Sequence, residues 1–109
     1  MFKLIRDKVP EQMKASGQVC NYATAENEEL FIILLKNKLI EEVQEFLTSG
    51  NVQELADVET VIKTLLKAAN VSDEDYDKIY QEKIKNNGAF NKRYIGFFPD
   101  PEPETPAKE

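Results

Sequence analysis

The 109 residues contain no histidine and no tryptophan, and cysteine occurs once, at Cys20. A zinc finger, a disulfide framework and any Ser-His or Cys-His catalytic pair are thereby excluded within one chain. A lone cysteine fits a reducing compartment, so a cytoplasmic location is expected. No run of about 18 apolar residues is present, which excludes a membrane-spanning helix, and Met1 to Pro10 lacks the apolar core of a secretory signal. Positive charge is also in short supply: 14 Lys and Arg against 20 Asp and Glu leave a net charge of −6. That balance argues against a duplex nucleic-acid binder, which needs a basic face. It suits an ordinary acidic surface or a set of acids gathered to hold a cation.

Of the five prolines, four fall after Phe98, and this divides the chain. Pro99-Asp100-Pro101-Glu102-Pro103-Glu104-Thr105-Pro106 offers nothing apolar to bury and reads, with the residues to 109, as a disordered Pro/Glu-rich tail. Residues 1–98 form one domain. A domain of this size buries only about 60–70% of its unfolded surface, so a partner subunit would help it.

Phe2 to Ile5 reads as a short extended piece, followed by Val9-Pro10-Glu11 as a helix start with proline in the first turn. Gly17 stops that helix, and Gln18 to Ala23 alternates well enough to be extended. Glu28 to Thr48 has neither glycine nor proline and is rich in helix formers. Ser49-Gly50 ends it, and Asn51 with Glu54 makes a capping box for a second long helix to about Ala69. Ser72 with Asp75 caps a third, which runs to about Asn86. The expected fold is all-α, a bundle of three helices joined by tight turns behind a short mixed N-terminal segment.

Carboxylates occupy places on the two long helices where leucines are expected. Wound at about 100° per residue, Phe31, Leu35, Leu39 and Phe46 gather on one side of the first, with Glu42 among them and Glu45 on the border. On the second, Val58, Val61 and Leu65 cluster around Glu54, and Asp57 borders them. Each helix thus directs an i, i+3 acid pair, about 5–6 Å apart, toward a face that is otherwise core. A buried carboxylate without a partner costs several kcal/mol, roughly, and four converging ones repel. Lys38 is the one cation near this edge of the first helix, and one lysine cannot neutralise four acids. A divalent cation can, and ligation by oxygen alone selects Mg²⁺ or Mn²⁺. The chemistry indicated is metal-assisted cleavage of a phosphate ester or anhydride. The plainer reading is that these are ordinary helix-surface acids.

Glu41-Glu42-Val43-Gln44-Glu45 followed by Glu54-Leu55-Ala56-Asp57 resembles the EExxE…ExxD signature of the MazG-like all-alpha NTP pyrophosphohydrolases, a superfamily that includes dimeric dUTPases and phosphoribosyl-ATP pyrophosphohydrolase. Arg6-Asp7-Lys8-Val9-Pro10 resembles the RDKIP opening of a small house-cleaning branch, and the resemblance spans about Lys3 to Tyr94. It implies Mg²⁺-dependent hydrolysis of a nucleoside triphosphate between the α and β phosphates, giving the monophosphate and pyrophosphate. Glu42, Glu45, Glu54 and Asp57 would be the metal ligands. Glu41, with Glu42, is the catalytic candidate, set to support the ligands or orient the attacking water. The eight residues between Glu45 and Glu54 are fewer than in many members. Lys83 and Asn87 resemble the family's KxxxN, and Lys92 and Arg93 the basic residues that follow. With Arg6 and Lys8 they are candidates for binding substrate phosphates, though a solvated cationic helix end explains the later four equally. Asp7 is an alternative partner for Arg6 or Lys8. Tyr22, Tyr76 and Tyr80 suit packing, or stacking of a base. A helical module that binds nucleotide or metal without turnover is the alternative function.

Leu30, Ile33, Ile40 and Leu47 form a second apolar face on the first long helix, roughly opposite the Phe31–Phe46 cluster. A helix apolar on both sides is buried on both sides. Two other helices can hardly cover it, so a homodimer or a dimer of dimers is expected.

Overall fold

A computed structural model describes residues 3–100. Met1, Phe2 and residues 101–109, which include most of the expected tail, lie outside the described residues. Within them the chain is all-helical, without a strand: α1 (Val9–Ala15), α2 (Glu28–Ser49), α3 (Val52–Ala68) and α4 (Asp73–Asn87). Lys3 to Ile5 and Gln18 to Ala23, expected as extended pieces, form no strand. Neither finds a neighbouring edge, and an unpaired strand leaves its backbone groups to water.

The helix boundaries follow their end signals. Asn27 caps α2, its side chain accepting from the Leu30 N–H at 3.0 Å, and Glu28 and Glu29 place negative charge on the first turn. Gly50 closes the helix in the left-handed region at φ 69°, its N–H donating to the Phe46 carbonyl at 2.8 Å. Asn51 stands before α3 in extended conformation, but its side chain makes no capping bond. The capping box expected with Glu54 does not form. The Asn51 carbonyl accepts from the Glu54 N–H at 3.0 Å instead, so the tight turn supplies backbone in place of side chain. Asn70, at φ 59°, ends the following turn, and the Val71 N–H reaches back to Leu66 O at 2.9 Å. Ser72 caps α4 as expected, accepting from the Asp75 N–H at 3.1 Å.

Only Gly50 and Asn51 separate α2 from α3, and the two pack along their length as a helical hairpin. No other helix pair among the described residues packs comparably, so the expected three-helix bundle is not closed within the chain. The reason is the composition of α4, whose Tyr76, Ile79 and Tyr80 stay exposed among charged neighbours. The buried core among the described residues is correspondingly small: Leu35 at 3% exposure, and Val61 and Glu42 both at 7%.

The chain has a radius of gyration of 19.1 Å, where a compact domain of this length has about 13 Å. It exposes 10441 Å², against about 6,200 Å² for a compact chain of its mass. No described helix is long and apolar enough to cross a membrane.

With so few buried side chains, stability concentrates in the hairpin. Leu35→Ala should cost about 2–5 kcal/mol in urea unfolding, whereas Val19→Ala, on an exposed loop, should stay within about 0.5 kcal/mol.

Candidate metal centre

The two-residue turn sets which side chains meet. In an antiparallel hairpin, residues equally far from the turn lie at one level. Glu42 and Glu45, seven and four residues before the end of α2, therefore fall within about one helical turn of Asp57 and Glu54, five and two residues after the start of α3. One carboxylate oxygen from each of Glu42, Glu54 and Asp57 lies within 4.8 Å of the other two. Glu42 is buried, whereas Glu54 and Asp57 are half-buried. The sequence puts Glu54 inside the α3 stripe and Asp57 on its border, but the two are half-buried alike, Asp57 with the Arg6 guanidinium against it. Glu45 is exposed and stands outside the trio.

Three cations border these acids. Lys38 donates to Glu41 Oε2 at 2.8 Å and lies 3.3 Å from Glu42 Oε1, spanning the i+3 and i+4 positions. Arg6 donates through Nη2 to Asp57 Oδ1 at 2.6 Å and to Thr60 Oγ1 at 3.1 Å. Lys3 donates to Glu41 Oε1 at 3.1 Å. Neutralisation is nonetheless incomplete, because the buried Oε2 of Glu42 has no hydrogen-bond partner.

The protonation equilibria follow this arrangement. Burial pushes the Glu42 carboxyl above the usual glutamate range; Lys38 works against this, while the charges of Glu45 and Asp57 add to it. Glu54 is raised as well, by desolvation, by its hydrogen bond with Asp57 and by the charges of Asp57 and Glu42. Glu41 moves the other way, held ionised by hydrogen bonds from Lys38 and Lys3. Burial disfavours the charge on Lys38, but its bonds to Glu41 and Glu42 outweigh that and raise its pKa.

A cavity of about 520 Å³ opens beside the acids. Arg6, Lys38, Glu42, Asp57 and Thr60 form its polar wall, and Leu4, Tyr22, Phe31 and Leu35 line its apolar side. Of the candidate phosphate-binding residues, only Arg6 reaches it. Lys8 is exposed on the turn before α1, Lys83 and Asn87 lie on α4, and Lys92 and Arg93 follow that helix. None of these five lines the cavity or forms an ion pair among the described residues. Tyr76 and Tyr80 border a different hollow, of about 650 Å³, between α3 and α4.

Lys3 and Thr60 are the members that sequence reasoning did not single out. Thr60 was accessible in principle, one turn beyond Asp57 on the same face. Lys3 carries no such signal, because it comes from a segment without regular structure. The partnership of Arg6 with Asp57, rather than with Asp7, likewise depends on where that segment lies.

Compared with models of protein families, with curated proteins and with solved structures, the chain matches none. What the site can do is therefore read from its geometry and its donor set. Three carboxylates with a buried, unpartnered oxygen fit a divalent cation, and a set made of oxygen alone favours Mg²⁺ or Mn²⁺.

Without a cation, Glu42 is a burden on the fold. Its raised pKa means that ionisation costs stability as pH rises through that value. In metal-free protein at pH 7, Glu42→Gln should raise the unfolding free energy by about 1 kcal/mol. The gain should fade below about pH 4.3, where the carboxyl is protonated in the unfolded chain as well. A loss of stability at every pH would show that the bond to Lys38 dominates.

Proposed function

We propose that the chain is a Mg²⁺-dependent nucleoside triphosphate pyrophosphohydrolase of the MazG-like kind that works as a homodimer. The observation that carries this reading is the unpartnered Glu42 oxygen among the Glu42–Glu54–Asp57 carboxylates, at the edge of a cavity of nucleotide size. The EExxE…ExxD and RDKVP motifs supply the reaction class.

Glu42, Glu54 and Asp57 would hold the cation, with Glu45 close enough at the rim to join them. When bound, the cation would polarise the phosphate oxygens and offset the charge developing on the departing pyrophosphate. Lys38 anchors Glu42 and Glu41 together, which fixes the carboxylates before substrate arrives. Glu41, kept ionised by Lys38 and Lys3, is the group suited to accept a hydrogen bond from the attacking water. Arg6 lies between the acids and the cavity and can present its guanidinium to the phosphates. The apolar wall with Tyr22 is the natural place for the base, and with its exposed ring Tyr22 suits stacking.

The dimer follows from exposed apolar surface. Ile33, Ile40 and Leu47 recur every seven residues along α2 and, with Leu30, are 47–74% exposed. A heptad stripe of this kind is covered by another helix in a folded assembly. In this reading the substrate is a surplus or noncanonical nucleotide.

One observation favours the alternative, a helical module that binds without turnover: Arg6 already neutralises Asp57 from within the chain. Calorimetric titration with Mg²⁺, with and without nucleotide, separates the two, because the module binds and releases no pyrophosphate.

A panel of deoxy-, ribo- and modified nucleotides should yield Mg²⁺-dependent pyrophosphate from at least one member. Glu42→Ala and Asp57→Ala should lower that rate by at least about 100-fold, the scale expected when charge stabilisation is removed. No pyrophosphate from any nucleotide at any metal concentration overturns the assignment. Light scattering should give twice the chain mass, and Ile40→Glu should give the monomer.

A further inference from the structure

Residues 83–99 carry four cations, Lys83, Lys85, Lys92 and Arg93, and no acid, which leaves a net charge of −10 on the rest of a chain whose total is −6. The end of this stretch is also the most exposed apolar segment described. Beyond α4, Phe90, Tyr94, Ile95, Phe97 and Phe98 are each at least 78% exposed. The segment is not shapeless. The Arg93 N–H donates to the Phe90 carbonyl at 3.1 Å, closing a turn that includes Lys92 and Arg93. Arg93 sits in the left-handed region at φ 61°, and Lys92 lies 5.9 Å from the centre of the Tyr94 ring.

Such a segment needs an acidic surface with apolar side chains beside it. The α2–α3 hairpin offers one at its turn. Glu45 and Glu54 have no cationic partner among the described residues, and Leu47 and Val52, which flank the turn, are 74% and 75% exposed. The chain's own arm is not on that surface. Its rings, Leu47 and Val52 are all largely exposed, and neither Lys92 nor Arg93 pairs with Glu45 or Glu54.

We propose that this arm, residues 89–98, clasps the hairpin end of a second copy of the chain, with Lys92 and Arg93 on Glu45 and, in the metal-free chain, on Glu54 as well, and the aromatic rings on Leu47 and Val52. The area is sufficient. An aromatic side chain buries about 150–250 Å², so the four rings of one arm contribute about 600–1,000 Å². Two arms exchanged about a twofold axis contribute about 1,200–2,000 Å², the size of a stable interface. The exchange also carries the two cations to the rim of the partner's carboxylates, where the chain's own fold does not deliver them. The inference rests on the two-copy assembly of the proposed function and is independent of catalysis.

A zero-length carbodiimide tests it in unmodified, metal-free protein, because that reagent joins only amines and carboxylates already in contact. Equal amounts of ordinary and ¹⁵N-labelled chain are mixed, cross-linked, digested and mapped by mass spectrometry. Mixed-isotope peptides joining Lys92 to Glu45 or Glu54 are expected. Lys92 joined to these acids only within one isotope, or not at all, overturns the proposal whether or not the protein hydrolyses nucleotides. As a second measurement, Phe90→Ser with Phe97→Ser should weaken the dimer at least tenfold in sedimentation, with helical circular dichroism unchanged. An unweakened dimer overturns it equally.

Discussion

Everything near the candidate site depends on a carboxylate held where a leucine would be more stable. Glu42 is as well covered as the core side chain Val61, and one of its oxygens has no partner. The two-residue turn after α2 then fixes the consequence, because it carries Asp57 and Glu54 to the same place. Like charges at that spacing raise the carboxyl pKa values unless a cation intervenes. The surrounding contacts offset the repulsion only in part. Lys38 takes one oxygen of Glu42 together with Glu41, and Arg6 takes Asp57 from the N-terminal segment. A hairpin selected for stability alone would fill these positions with apolar side chains. The proposed cation site gives a reason for retaining acids there, and in a small fold they occupy a large share of the core.

The shape of the chain has a separate cause: α4 is mostly polar and charged, and its exposed Tyr76, Ile79 and Tyr80 offer too little apolar area to draw it onto the hairpin. That helix and the arm behind it stay extended, and the radius of gyration of 19.1 Å reflects this. The exposed α2 stripe and the aromatic arm are two halves of one deficit, which the proposed second copy of the chain would cover.

The all-helical class and all four helices were legible in the sequence because their signals are local. Gly50 and Ser72 act within one turn of themselves, and the boundaries fall within a residue or two of where these residues put them. The burial of Glu42 was legible too, since helical winding alone puts it among Phe31, Leu35 and Leu39. What winding does not contain is how much of a face its neighbours cover. Glu54 and Asp57, ranked apart by their positions on α3, are half-buried alike, and Asp57 has Arg6 of the N-terminal segment against it. Likewise Lys3 and Arg6 reach Glu41 and Asp57 through a segment with no periodicity to read. The Asn51 box was legible as a pattern but displaced in fact, because a two-residue turn already satisfies the Glu54 N–H from the backbone.

The central claim is that the fold tolerates Glu42 because a divalent cation completes the site, and thermal unfolding tests it most directly. Mg²⁺, compared with NaCl at equal ionic strength to remove simple screening, should raise the unfolding temperature of the native protein and leave that of the Glu42→Gln variant unchanged. No rise in the native protein, or the same rise in both, would contradict the account.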